Sequence, residues 1–98
     1  MTVWAFSRLS REWVGPITVT RDDVTVTGWT LTVLPRNQIP ATADDIDEDP
    51  TELDGGLGVL VGPDTDHVLT QGEYAIWVRY VDSPEAPVVT NVGRLIVT

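Results

Sequence analysis

Short runs in which valine, threonine and other apolar residues alternate constrain the fold of this chain more than any other feature. From Trp29 to Leu34, apolar side chains occupy one side of an extended backbone as far as Val33, and threonines occupy the other. No segment shows a convincing helical spacing of apolar residues. Valine and threonine favour pleated surfaces, and glycines and prolines separate the runs. The pattern therefore predicts an all-β chain.

The number and spacing of the runs predict the architecture. A chain of 98 residues is the length of one domain, and about seven short strands at this spacing are typical of an immunoglobulin-like antiparallel β-sandwich. We expect residues 1–16 to form an N-terminal leader strand or arm, and residues 17–98 to form the sandwich. A barrel closure, an eighth strand, and one helical turn over residues 10–13 are alternatives. The predicted strands cover residues 4–7, 17–20, 24–27, 29–34, 57–61, 73–81 and 88–98, the last broken near residues 91–93.

The strand that begins after Gly72 carries the sharpest local signal. Tyr74 stands where immunoglobulin-like domains place a tyrosine whose hydroxyl bonds the backbone a few residues upstream. Both faces of this strand are apolar, but only one face can line a two-layer core. We expect Ile76 to lie on the core face. Trp77 and Arg79 would then be exposed, unless a loop or the leader covers Trp77.

Aromatic residues near the start of the chain extend the set of candidate interface residues. They either pack on their own domain or reach a neighbouring protein, and tryptophan and arginine are the types that anchor protein interfaces. The candidate interface residues are Trp4, Phe6, Trp13, Trp77 and Arg79.

The net charge of −9 is concentrated in the middle of the chain. Residues 44–66 carry nine carboxylates and no arginine or lysine, and the rest of the chain is balanced. Such a chain repels phosphate backbones and anionic membrane surfaces, so we expect neither nucleic acid nor membrane as a partner. Residues 40–56 have no strand pattern. They predict a long, exposed, mobile acidic loop, or one capped helical turn within it.

The acidic loop offers a weak calcium candidate. Asp45, Asp47 and Asp49 have the spacing of the first three ligands of an EF-hand loop. The pattern then fails, because Pro50 stands where that loop needs glycine and Gly56 stands where it needs glutamate. The alternatives are a solvated loop or a loop that meets arginines on a partner. We therefore predict no metal site.

Other chemistry is poorly supported by the sequence. The chain has no cysteine and a single histidine, His67, which we expect in a turn. Residues 55–58 lack the lysine and hydroxyl residue of a phosphate loop. Neither a basic start followed by an apolar stretch nor an apolar run of about 20 residues is present. We predict no catalytic site, no cofactor and no enzymatic activity.

Two segments, residues 26–33 and 69–82, carry a family resemblance. A strand follows Thr27-Gly28, and after a long polar stretch a Gly-x-Tyr sequence opens a strand that ends near Asp82, before a final strand. This pattern resembles small virion proteins of tailed phages, in particular the immunoglobulin-like domain at the N-terminus of baseplate upper proteins and the similar domains that decorate phage heads and tails.

The resemblance implies a structural subunit of a virion, assembled in the host cytoplasm. Its partners would be major capsid or tail proteins, it would be present in many copies or as a homo-oligomer, and it would need no cofactor. A single domain without the further domains of a baseplate protein favours a capsid-associated subunit. A tail or baseplate subunit, or a β-sandwich module that binds carbohydrate or a host receptor, is the alternative.

Overall fold

The computed structural model describes residues 2–21, 23–26, 28–53, 56–81 and 87–98. Of the residues that carried predictions, Thr27 and Asp82 in the phage-like pattern and positions 54 and 55 of the acidic loop lie outside this description. Within the described residues, the regular structure is all-β apart from one short 3-10 turn, Ala43–Asp45, as the alternating pattern predicted. The described part of the chain contains no helix long and apolar enough to cross a membrane.

The strands form two main sheets and a small hairpin. One sheet has four strands in the order β1-β9-β8-β5, and the other has three in the order β2-β7-β6. Strands β3 and β4 pair only with each other in the described residues. The strands are β1 Thr2–Phe6, β2 Glu12–Ile17, β3 Thr20–Arg21, β4 Val24–Thr25, β5 Thr30–Pro35, β6 Thr51–Leu53, β7 Gly56–Val61, β8 Gly72–Tyr80 and β9 Val88–Val97.

Strand β8 is the central strand of the larger sheet, antiparallel to β5 on one side and to β9 on the other. The break predicted near residues 91–93 is a β-bulge within a continuous strand. Ile76 pairs with Gly93 while Trp77 pairs with Asn91, so Val92 is the extra residue. The Gly93 N–H donates to the side-chain oxygen of Asn91 at 3.1 Å, which satisfies a backbone group inside the bulge.

The first sixteen residues contribute a strand to each main sheet. Strand β1 lies parallel to β9, and β2 lies antiparallel to β7. Trp4 and Phe6 pack against the core, so these two aromatic residues lie on their own domain. Trp4 needs the glycine beneath it, because a Cβ at Gly93 would stand 2.5 Å from the indole ring. Residues 12 and 13 begin β2, and residues 10–13 form no helical turn.

The core lies between the two main sheets. Alternate residues of β8 point into it, with Ile76, Val78 and Tyr80 buried as the strand pattern predicted. Trp29 and Leu31 are buried in the same way at the start of β5. The buried residues of the core cluster are Val14, Ile17, Val19, Trp29, Leu31, Val59, Val61, Ile76, Val78, Tyr80 and Leu95.

The acidic loop of residues 40–56, called the acidic segment from here on, contains more regular structure than the sequence predicted. After the 3-10 turn, Glu48 exchanges two backbone hydrogen bonds with Leu31, with N···O distances of 2.8 and 3.1 Å. The Thr30 hydroxyl donates to the Ile46 carbonyl at 2.6 Å, and the Ile46 side chain is fully buried. The chain then forms β6 against β7. The expectation of no strand structure is wrong for Thr51–Leu53, and the expectation of exposure is wrong for Ile46, because a single buried isoleucine and one short edge strand leave no periodic pattern. The alternative of one capped turn is present as Ala43–Asp45.

Truncation of Ile46 tests whether this segment is part of the fold. Replacing a fully buried isoleucine by alanine leaves a cavity, so Ile46→Ala should lower the free energy of unfolding by about 2–4 kcal/mol in urea denaturation. Ile39→Ala, in the same connection but 75% exposed, is the matched control and should change it by less than about 0.5 kcal/mol. Equal, small effects of both variants would mean that the segment does not pack on the domain.

Candidate interaction surfaces

The outer face of the four-stranded sheet holds two of the predicted interface residues. Trp77 lies beside Thr32 and Arg79 beside Thr30. Arg79 reaches the acidic segment, with 3.6 Å between its Nη1 and Asp44 Oδ1. Trp77 is only partly exposed, and its indole nitrogen is shielded from solvent and has no hydrogen-bond partner among the described atoms. The nearest acidic partner of Arg79 is thus supplied by its own chain.

A second polar cluster on this face joins two arginines to one glutamate. Glu73 Oε2 lies 2.6 Å from Arg36 Nη1, and Glu73 Oε1 lies 2.7 Å from Arg94 Nη2. The hydrogen bond from Arg94 is the largest cause that lowers the pKa of Glu73 below its ordinary value of 4.5. Desolvation opposes it, and the hydrogen bond from Arg36 and the charges of both arginines add to the lowering. The three side chains keep a net positive charge in an acidic protein. They come from three separate strands or strand ends, so no local sequence pattern predicts this cluster.

The outer face of the three-stranded sheet is apolar. Trp13 pairs with Leu60 across β2 and β7, and 48% of the Trp13 surface is exposed, the largest value among the four tryptophans. Leu53 lies over Gly58 so closely that a Cβ at Gly58 would stand 2.5 Å from its Cδ1. A Cβ at Gly15 would stand 2.9 Å from the same atom. The two glycines therefore let the Leu53 side chain pack down onto the sheet beside an exposed tryptophan.

The three carboxylates of the calcium candidate are not used to bind a metal in the described structure, and Asp45 has another role. Asp45 accepts a hydrogen bond from the Thr42 N–H at 3.1 Å, which caps the 3-10 turn. Among the residues that the structure describes, no group of three histidine, aspartate or glutamate side chains is arranged to hold a metal ion. Asp45, Asp47 and Asp49 are therefore not gathered into such a group.

His67 directly follows the turn formed by residues 62–66, and it has a specific partner. The turn is held by the Thr65 hydroxyl, which donates to the Gly62 carbonyl at 2.7 Å, and by a backbone bond from Gly62 to His67 at 2.9 Å. His67 Nε2 lies 2.5 Å from Glu48 Oε1 at the edge of a cavity of about 280 Å³. The pair joins the β7–β8 connection to the acidic segment and gives the single histidine a structural role.

The predicted contact of Tyr74 is confirmed. Its hydroxyl donates to the Thr70 carbonyl at 3.0 Å and lies 3.1 Å from the Thr70 hydroxyl. Both contacts are within five residues of chain, at the start of β8. The hydrogen bond fixes the connection where it enters the central strand of the larger sheet.

Comparison with known proteins identifies no family for this chain. No protein family model matches the sequence, and no curated protein or solved structure matches it. The phage resemblance therefore stays a prediction, and the function is argued from the surfaces themselves.

The cluster around Glu73 predicts a pH dependence of stability. Because the pKa of Glu73 is lowered on folding, its ionised form stabilises the protein above pH 4.5, and this contribution is lost as the pH falls through the lowered pKa. Glu73→Gln should therefore be less stable than the parent protein at pH 7, with the difference shrinking below pH 4.5. Urea denaturation from pH 7 to pH 3 measures it.

The exposed Glu52 supplies the control for that series. Glu52→Gln should show no comparable loss at pH 7. A Glu73→Gln variant that follows the parent at every pH would show that the two arginine contacts do not stabilise the fold.

Proposed function

We propose that this chain is a non-enzymatic immunoglobulin-like domain that serves as a structural subunit of a tailed-phage virion, bound to the capsid through protein–protein contacts. A tail or baseplate position is the alternative place in the particle. The proposal combines three supports: the strand order, the apolar surface around Trp13, and the phage-like pattern of residues 26–33 and 69–82.

The strand order supports the immunoglobulin-like part of the proposal. That fold packs a sheet of strands A, B, E and D on a sheet of strands C, F and G. The order β2-β7-β6 corresponds to B-E-D, and the order β9-β8-β5 corresponds to G-F-C, with β1 added beside β9. The hydrogen bond from Tyr74 to Thr70 stands at the start of the strand that corresponds to F, where the tyrosine corner belongs.

The observation that carries the binding proposal is the exposed indole of Trp13 on an apolar face. Leu53 and Leu60 lie on the same face and are partly buried. Tryptophans buried at the centre of an interface commonly contribute most of its binding energy. Trp4 and Phe6 pack on the core, and Trp77 is less exposed than Trp13, so Trp13 is the strongest anchor among the predicted tryptophan and phenylalanine residues.

The proposed role requires no catalytic group, because it depends on contacts between proteins. A subunit repeated many times on a particle does not need a strong individual contact, because simultaneous contacts add up to high avidity. One tryptophan-centred surface per copy is sufficient for such a role.

Removal of the Trp13 side chain tests the proposal. Labelled protein is mixed with shells of the phage that encodes it, prepared without this protein, and bound material is measured after sedimentation. Trp13→Ala should weaken binding at least about tenfold, the effect of losing about 1.4 kcal/mol or more at an interface hot spot. Its thermal unfolding should remain close to that of the parent protein, because the side chain is half-exposed.

Val24→Ala is the control, since Val24 is an exposed residue of the separate β3–β4 hairpin and should leave binding unchanged. Failure of the parent protein to bind shells would contradict the capsid position, and binding to isolated tails would support the tail alternative. Binding of host-wall carbohydrate that Trp13→Ala abolishes, without binding to either particle, would replace the structural role by a ligand-binding one.

A further inference from the structure

Strand β1 is an open edge of the four-stranded sheet without the usual protection. Its five residues, Thr2–Phe6, contain no charge, no proline and no bulge, and they are rich in strand-forming residues. In the described residues its other side pairs with no strand. Natural proteins commonly block such edges with charges, prolines, bulges or covering segments, because an open edge recruits another strand.

The other three edges of the two main sheets are protected. Glu48 pairs with Leu31 on the outer side of β5. Strand β2 has an irregular register between Val14 and Ile17 and contains Pro16, which has no N–H to donate. Strand β6 is only three residues long. Strand β1 is therefore the regular edge that remains available.

The register with β9 shows which groups of β1 are free. The Phe6 carbonyl accepts a hydrogen bond from the Thr98 N–H at 2.9 Å, so the Phe6 backbone faces β9. Successive residues of a strand direct their backbone N–H and C=O groups to opposite sides. The groups of Trp4 therefore also face β9, and those of Val3 and Ala5 point outward from the sheet.

We propose that β1 of one molecule pairs in antiparallel orientation with β1 of a second copy of this chain. Val3 of each copy lies opposite Ala5 of the other, and the two Trp4 residues lie opposite one another at the two-fold axis. This register places every outward N–H and C=O of Val3 and Ala5 in a hydrogen bond. The proposal concerns the isolated chain and does not depend on the virion assignment.

The distribution of charge favours a second copy as the occupant of this edge. Molecules of net charge −9 repel one another, but the acidic segment is attached at β5, the edge of the sheet opposite β1. Residues 2–17 carry Arg8 and Arg11 against Glu12, a net charge of +1. Neighbouring strands lie about 4.8 Å apart, so pairing through β1 keeps the Glu48 residues of the two copies roughly 40 Å apart. This distance is several Debye lengths at physiological salt, so their charges are screened from one another.

Pairing of this kind stops at two copies. The same strand is used on both sides of a two-fold axis, so the contact consumes the open edge of each molecule. The product is a continuous eight-stranded sheet with a protected β5 at each end. The exposed side chain of Val3, 51% accessible in the single chain, gains apolar neighbours across the new strand pair.

A pair of variants at one position tests the proposal. Ala5→Pro removes the outward N–H and leaves the hydrogen bonds to β9 in place, because proline is tolerated on an edge strand when its nitrogen faces away from the sheet. Ala5→Ser retains the N–H. Size-exclusion chromatography with light scattering, at up to about 1 mM protein, covers the range in which such a small interface is populated.

We expect the parent protein and Ala5→Ser to approach twice the mass of one chain as the concentration rises, and Ala5→Pro to remain a monomer with an unchanged circular dichroism spectrum. A parent protein that stays monomeric up to about 1 mM overturns the proposal, and so does a folded Ala5→Pro variant that dimerises like the parent. Neither result bears on binding to shells through Trp13.

Amide hydrogen exchange on the parent protein keeps the test decisive if Ala5→Pro does not fold. The Val3 and Ala5 amides should exchange slowly at high protein concentration and at least about tenfold faster after dilution, because dilution opens the dimer contact. The amides of Trp4 and Phe6, which face β9, should be protected at both concentrations. Fast exchange of Val3 and Ala5 at every concentration would overturn the proposal.

Discussion

Burial of one face of β8 between two neighbouring strands and the opposite sheet is the constraint on which the rest of the structure depends. Ile76, Val78 and Tyr80 are buried on this face, and the antiparallel pairing with β5 and β9 fixes which residues face the other way. A shift of one residue would bring Trp77 and Arg79 into the core and expose the apolar set. Tyr74, bound to Thr70 at the entrance to the strand, helps to hold this register.

The outer face of β8 follows from the same register. Its polar residues are held by side chains from distant parts of the chain: Glu73 by Arg36 and Arg94, and Arg79 by Asp44. The acidic segment thus has a structural role beyond its charge, because it supplies an ion pair to β8, a strand-like pairing to β5 and a third strand to the opposite sheet. Strand β1 itself carries no charged side chain, and the described carboxylates of the acidic segment lie at the β5 end of the sheet.

The sequence predicts what depends on local periodicity. The alternation from Trp29 to Val33, the buried face of β8 and the Tyr74 contact all follow from residue spacing, and each is present in the structure. Prediction fails where structure depends on contacts between distant residues. In the sequence, Ile46 is flanked on both sides by acidic residues. Nothing nearby in the sequence indicates that the Thr30 hydroxyl and the Leu31 backbone will hold its segment.

The candidate surfaces show the same division. Exposure of Trp13 and shielding of Trp77 cannot be distinguished from composition, since both tryptophans lie in strands and both are flanked by apolar and charged residues. What separates them is the sheet that each tryptophan joins, β2 in the three-stranded sheet for Trp13 and β8 in the four-stranded sheet for Trp77. The Arg36, Glu73 and Arg94 cluster likewise exists only after β5, β8 and β9 have paired.

The parallel pairing of β1 with β9 also determines how the domain carries a mechanical load. Thr2 lies beside Gly93, and Phe6 lies beside Val97, so a force that separates Thr2 from Thr98 slides the two strands along one another. All of the hydrogen bonds between them then resist at once, whereas antiparallel end strands pulled from a shared end would open one bond at a time. Tension along the strands therefore loads β1 and β9 in shear, the geometry in which a strand pair resists separation most strongly.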